Sequence, residues 1–219
     1  MSAAPTLLLA TANAGKVQEL REMLTGFSLL NLRDVGIDDL DEPADDYVAN
    51  AVAKALEASR RSGLPSVADD SGLAVDALSG APGAYSARYA GGHGDNAANR
   101  ARLLAALAGV PLAGRGARFR CVIAFADTTG PLGARVVWRH GECRGSIAFE
   151  ARGSGGFGYD PLFVPEGTHL TMAELPAQEK HTRSHRGRGL RAIVPFVRGY
   201  FTAREGMARD RGTALVSRQ

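Results

Sequence analysis

The sequence predicts an α/β protein built on a mixed β-sheet, and three observations carry that prediction. In the N-terminal half, short apolar runs alternate with stretches whose apolar residues recur at helical spacing. Ala117 to Asp127 alternates strictly, with Phe119, Cys121, Ile123 and Phe125 on one face. After the turn TTGPLG, Arg135 to Arg144 reads as its antiparallel neighbour. Strands joined by helices plus a hairpin cannot make a purely parallel sheet.

Taken in order, Thr6 to Ala10 is an apolar run expected as a buried first strand. Thr11-Ala-Asn-Ala-Gly-Lys16 follows as a loop, and a helix begins with Val17, Leu20, Met23 and Leu24 inward and Gly26 as its stop. A strand, a small polar loop and a helix start point backbone N–H groups and a lysine at an anion, though the glycines of a Walker loop are absent. Residues 34–46 are acid-rich and read as a solvated loop, with Asp45 or Asp46 capping a helix from about Tyr47 to Arg61 that Gly63 ends. Ser66 to Ala68 reads as a short strand running into Asp69 and Asp70, with Ser71 and Gly72 turning the chain before the apolar run Leu73 to Leu78. Carboxylates at a strand end are well placed to hold a hard cation.

Residues 79–94 form a long glycine-rich stretch expected as a binding or interface loop. Asp95 should cap a helix through Leu107, with Leu103, Leu104 and Leu107 inward. Gly145 to Glu150 could add a third strand to the hairpin. Gly153 to Pro161 is a second glycine-rich segment, where backbone can approach a ligand closely and Phe157 and Tyr159 offer flat faces to a base. Thr171 to Glu174 fits a capping box and predicts a helix start. Leu190, Ile193, Val194, Val197 and Phe201 define a C-terminal helix, which Pro195 should kink or shorten. Residues 205–219 read as a polar, frayed tail after a single domain over 1–204.

Composition limits the function classes. The chain has 219 residues, enough for one domain or one domain with a sub-lobe, and 45% of them are hydrophobic. A net charge of +3 argues against an extended nucleic-acid surface, and no apolar run is long enough to span a membrane. Cys121 and Cys143 are too few for a metal framework, and as buried free thiols they suit a reducing cytoplasm. Of the 26 basic residues only Lys16, Lys54 and Lys180 are lysines, so a lysine that persists marks a place that needs a compact ammonium. Lys54, on a helix, reads as the exception, a solvated surface residue.

The motifs TANAGK, ADDSG with an upstream acid, GGFGYDP and EK…SHRG occur in this order. In these the chain resembles the inosine/xanthosine triphosphate pyrophosphatase family, from about Leu7 to Val197. The resemblance implies a curved mixed sheet flanked by helices, two lobes with a central cleft, a homodimer, and Mg2+-dependent hydrolysis of non-standard purine nucleoside triphosphates to monophosphate and pyrophosphate. It implies that Thr11, Ala12, Asn13, Ala14, Gly15 and Lys16 hold the triphosphate, with Asn13 and Lys16 the main side-chain contacts. Asp70 is implied as general base and metal ligand, Glu42 as the second metal ligand and Ser71 as a substrate contact. Phe157, Gly158, Tyr159, Asp160, Lys180, His185 and Arg186 would enclose base and sugar. Donors from Lys180, His185 and Arg186 would accept the C6 oxygen of hypoxanthine or xanthine and mispair with the amine of adenine. Two departures stand out: Ala12 where glycine is usual, and Ala49 in place of a common acid before Asn50. A related pyrophosphatase for another modified nucleotide, or a non-catalytic nucleotide or RNA binder using Arg183 to Arg191, remain as alternatives.

Overall fold

A computed structural model describes residues 4–42, 45–92 and 94–216, with side chains described through Gly206. Seven strands form one sheet in the order β2-β1-β3-β5-β6-β7, and the short β4 (Pro82–Gly83) pairs with β3 on the side. β1 (Thr6–Leu9) lies parallel to β2 (Ser28–Asn31) and β3 (Ser66–Val75). β3, β5 (Gly116–Ala126), β6 (Val136–Ile147) and β7 (Phe163–Pro165) are antiparallel in succession. The sheet is mixed, as the alternating patterns require.

Three helices cover its two faces, and the period-2 alternation of β3 and β5 sorts the strands' side chains between those faces. Leu7, Leu9, Val67, Cys121, Ile123 and Phe125 pack on one face against α1 (Ala14–Met23) and the long α5 (His185–Val216). Leu8, Ala68, Val122 and Ala124 pack on the other against Ala51, Ala55 and Ala58 of α2 (Tyr47–Ser62). A separate core lies beyond, where Leu73, Phe119, Cys143, Ile147 and Phe163 meet Leu103 and Leu107 of α3 (Asn96–Ala106). β3, β5 and β6 contribute side chains to more than one of these cores, and the cleft is lined by Leu32 and Leu40 of one and Phe119, Tyr159 and Met172 of another.

The expected caps of α2 and α3 are in place, Asp46 being the one of the two candidates that acts, whereas α1 starts at Ala14, inside the stretch expected as a loop. Asn13, Asp46 and Asp95 each accept a backbone N–H three residues on, opening α1, α2 and α3. Gly63 ends α2 in the left-handed region at φ +70°.

Several expectations are overturned. Ser71 and Gly72 make no turn, because Ser71 and Gly72 pair with Cys121 and Arg120 and β3 continues to Val75. Residues 145–147 extend β6, and the added strand is β7. The Thr171 box closes a single turn, with Thr171 N–H donating to Glu174 Oε2 at 2.7 Å. Pro176 disfavours helix at the residue before it, and α4 runs over Ala177–Arg183. α5 begins ten residues before Pro195 and runs through it, and its backbone stays helical over 205–216, where fraying was expected. The 79–94 stretch holds β4 and a 3-10 turn at Ser86–Arg88. Both cysteines are buried free thiols. Among the described residues no helix is long and apolar enough to cross a membrane.

Candidate active site

β1 leaves the sheet after Leu9, its last partner being Val67, whereas β3 runs on. The β1-facing side of β3 is therefore open over 69–72, until β4 pairs with Leu73 and Ala74, and this gap lies at the carboxyl ends of parallel strands, where α/β sheets place their ligands. The Asp69 backbone carbonyl accepts from Lys16 Nζ and from Lys54 Nζ, each at 3.2 Å. The adjacent carboxylates point to opposite faces and do different work.

Asp70 faces α2. Its Oδ1 accepts from Lys54 Nζ at 2.8 Å and its Oδ2 from Asn50 Nδ2 at 3.2 Å. Lys54 Nζ also donates to Glu42 Oε1 at 2.7 Å, so one ammonium bridges two carboxylates. Burial raises the Asp70 pKa against the pull of Lys54. Burial acts to lower Lys54, but Asp70 and Glu42 outweigh it and keep the ammonium charged. Lys54 is 5% exposed, so its reading as a solvated surface residue is wrong. A charged group that close to two acids is buried because it is paired.

Asp69 faces α5 and is fully buried. Its Oδ2 accepts from Arg186 Nε at 2.7 Å and lies 3.6 Å from Lys16 Nζ. Burial pushes its carboxyl up, yet Arg186 and Lys16 hold it well below the usual carboxylate range. Arg186 also donates to Ser71 Oγ at 3.2 Å and pairs with Glu19 of α1. Glu19 in turn meets Lys180 Nζ at 2.5 Å, and that ammonium reaches Asp160 Oδ2 at 2.6 Å. A chain of buried charges thus runs Asp69, Arg186, Glu19, Lys180, Asp160.

Phe157 stands on this chain, with Arg186 Cζ and Lys180 Nζ at 5.5 and 5.6 Å from its ring centroid. A Cβ on Gly15 would lie 2.6 Å from the Phe157 ring, so glycine is needed there for α1 to approach the loop. His185 stacks on Phe119 at 4.8 Å, and its buried Nδ1 has no hydrogen-bond partner among the described residues. Lys16, Asp70, Ser71, Phe157, His185 and Arg186 all line one cleft.

Homology bears on what such a cleft is for. The Ham1 family profile matches residues 7–196. The chain belongs to the Ham1 family. A protein of Methylococcus capsulatus called dITP/XTP pyrophosphatase is 49% identical over 197 residues, spanning 88% of this chain and 96% of its own length. One of the same description from Streptomyces coelicolor is 48% identical over 198 residues, with the same two coverages, 88% and 96%. Among solved structures, a HAM1 protein from Coxiella burnetii matches with a TM-score of 0.77 at 37% identity, covering 89% of this chain and 99% of that one. A Mycobacterium abscessus structure, described as a nucleoside-triphosphatase or dITP/XTP pyrophosphatase, matches with a TM-score of 0.67 at 45% identity, covering 87% and 99%.

In this Ham1 chain the residues named from sequence converge, with differences in posture. Thr11, Ala12, Asn13 and Lys16 line the cleft, but Asn13 Oδ1 is spent on capping α1 and only its amide N–H groups are left for a ligand. Lys180 and Arg186 were expected as open donors to a base. The Arg186 nitrogens are instead engaged by Asp69, Glu19 and Ser71, and Lys180 is clamped by Glu19 and Asp160. Their place is the charged wall behind Phe157. Tyr159 OH donates to Ser86 O at 2.9 Å, which ties the loop to the other wall. Glu19 went unnoticed because it sits mid-helix among ordinary polar residues, and Asn50, named only as the neighbour of Ala49, stands between two alanines in the first turn of α2.

The buried charges make a pH prediction. Burial, with Arg186 adding to it, pushes the His185 imidazole down to about 3. Burial opposes Arg186 and Lys180 at Glu19, and they hold its carboxyl down at about 2. Both folded values lie below the unfolded ones of 6.5 and 4.5. The unfolded chain therefore binds protons first as pH falls, so stability is full above 6.5 and declines toward 3 and then 2. Thermal unfolding should show that decline, and His185→Phe should flatten the part between 6.5 and 4.5. An unchanged upper slope in the variant would remove His185 as its source.

Proposed function

We propose that this chain hydrolyses non-standard purine nucleoside triphosphates, dITP, ITP and XTP, to the monophosphate and pyrophosphate. The observation that carries the reading is the division of one cleft into two ends. At one end Lys16 and the Lys54-bridged carboxylates Glu42 and Asp70 suit a triphosphate and a cation. At the other, Phe157 on its cationic wall suits a base.

The donor set fits magnesium, which takes one or two carboxylates and leaves the remaining positions to phosphate and water. Among the described residues no group of three or more His, Cys, Asp or Glu gathers into a metal cluster. Glu42 and Asp70 already share one cation, the Lys54 ammonium, at 2.7 and 2.8 Å. Those two would hold the ion, which when bound neutralises phosphate charge and makes the α-phosphorus more electrophilic. Asp70, its pKa raised by burial, accepts the proton of the attacking water. As the new P–O bond forms, the bond from the α-phosphorus to the bridging oxygen breaks and pyrophosphate leaves. Lys16 stabilises the charge that develops on it. Neutral His185 offers its unpartnered ring nitrogen to the base, and Ser71 lies between the two ends.

The test is turnover of dITP, XTP, ATP and GTP with Mg2+, separating phosphate from pyrophosphate. Pyrophosphate from dITP and XTP, with Asp70→Asn at least 100-fold slower (about 3 kcal/mol), is the expected result. Equal rates on all four nucleotides would keep a hydrolase and end the base-reading assignment. We take the working form to be a cytoplasmic homodimer, which light scattering tests for its assembly. A non-catalytic RNA binder is disfavoured, because Arg183, Arg188 and Arg191 are tied to Glu179, the Glu142 carbonyl and the end of α4.

A further inference from the structure

The loop that carries Phe157 is a tight turn. Asp160 N–H donates to Phe157 O at 3.1 Å, and Gly158, second in the turn, takes φ +60°. Its central peptide, between Gly158 and Tyr159, is the plane that can flip between turn types with little movement of the flanking residues. That peptide is held from outside the loop. Arg100 of α3 donates from NH1 to the Gly158 carbonyl at 2.8 Å, a contact across 58 positions of sequence.

In a trans peptide the N–H and C=O point opposite ways. With the carbonyl fixed toward α3, the Tyr159 N–H is fixed on the other side, and it donates to no acceptor among the described residues. Gly158 and Tyr159 both line the cleft. α3 is a firm platform for this role. Asp95 caps it, and Leu103 and Leu107 sit in the same core as Tyr159. Its Asn99 grips the opposite wall, accepting from Ala90 N–H at 2.7 Å and donating to Ala87 O at 3.2 Å.

We propose that Arg100 is a positioning residue for base recognition: it locks the Gly158–Tyr159 peptide so that the Tyr159 N–H is presented to an acceptor on the purine base. This rests on the proposed pyrophosphatase reading. An acceptor such as a C6 oxygen gains from that donor, whereas the adenine amine does not, so the lock contributes to selectivity and not only to affinity.

The experiment compares Arg100→Ala and Arg100→Lys with wild type on dITP and ATP, with thermal unfolding recorded for each. Wild-type turnover of dITP tests the parent reading separately. For Arg100→Ala the expected result is KM for dITP raised about tenfold, the size of one charge-assisted hydrogen bond, with kcat within about twofold. The dITP/ATP preference should narrow by a similar factor, and Arg100→Lys should recover most of it. An unchanged preference, or equal losses on both nucleotides, would overturn the proposal and leave Arg100 a packing residue. Should wild type turn over neither nucleotide, the same variants are compared by calorimetric Kd for ITP and ATP, with the same expected and overturning outcomes.

Discussion

Arg186→Met should cost about 3–5 kcal/mol of folding stability, because removing one partner of a buried ion pair leaves the other charge buried and alone. Here two are left. Asp69 is fully buried and loses its main counter-charge, and Glu19, 6% exposed, keeps only Lys180. For a chain of this size the loss corresponds to a fall of roughly 10 °C in Tm, read by thermal or urea unfolding. Adding Asp69→Asn to the variant should recover part of it, since the buried charge goes with its partner. A single variant that melts within about 2 °C of wild type would mean the network contributes little beyond its packing. The larger implication is that the wall behind Phe157 is preorganised: its charges are in place before any nucleotide arrives.

Lys54→Met should destabilise the metal-free protein by about 2–3 kcal/mol, less than a fully buried pair would, because Glu42 is part-exposed and water screens it. The substitution leaves Asp70 and Glu42 facing each other without the ammonium that sits 2.8 and 2.7 Å from them. Millimolar Mg2+ should return most of the lost stability, by occupying the place between the same two carboxylates, and should stabilise wild type less. Unfolding midpoints with Mg2+ and with a chelator measure both. If Mg2+ shifts the variant no more than wild type, the two carboxylates do not share a cation site.

How much of this was readable beforehand depends on the range of the interaction. Caps and stops act within one helical turn, so Asp95 and Gly63 could be placed from sequence and the α2 cap narrowed to Asp45 or Asp46, as could the β5–β6 hairpin from its alternation. The same local logic failed at Ser71-Gly72. Those residues favour a turn in isolation, but ladder pairing with Cys121 and Arg120 outweighs that preference and carries the strand through. It failed again at Thr171, where the capping box was present but Pro176 stopped the helix from following.

By itself the sequence determined the mixed α/β fold, the order of its motifs, and the scarcity of lysine that marked the cleft: Lys16, Lys54 and Lys180 all line it, the one dismissed as surface included. Only the tertiary structure decided what each charge does. Adjacent strand residues point to opposite faces, so Asp69 and Asp70 have different partners on α5 and α2. Glu19 finds Arg186 across 167 positions of sequence. A charge's cost and its pKa depend on what surrounds it in space, and that is set by packing between elements far apart in the chain.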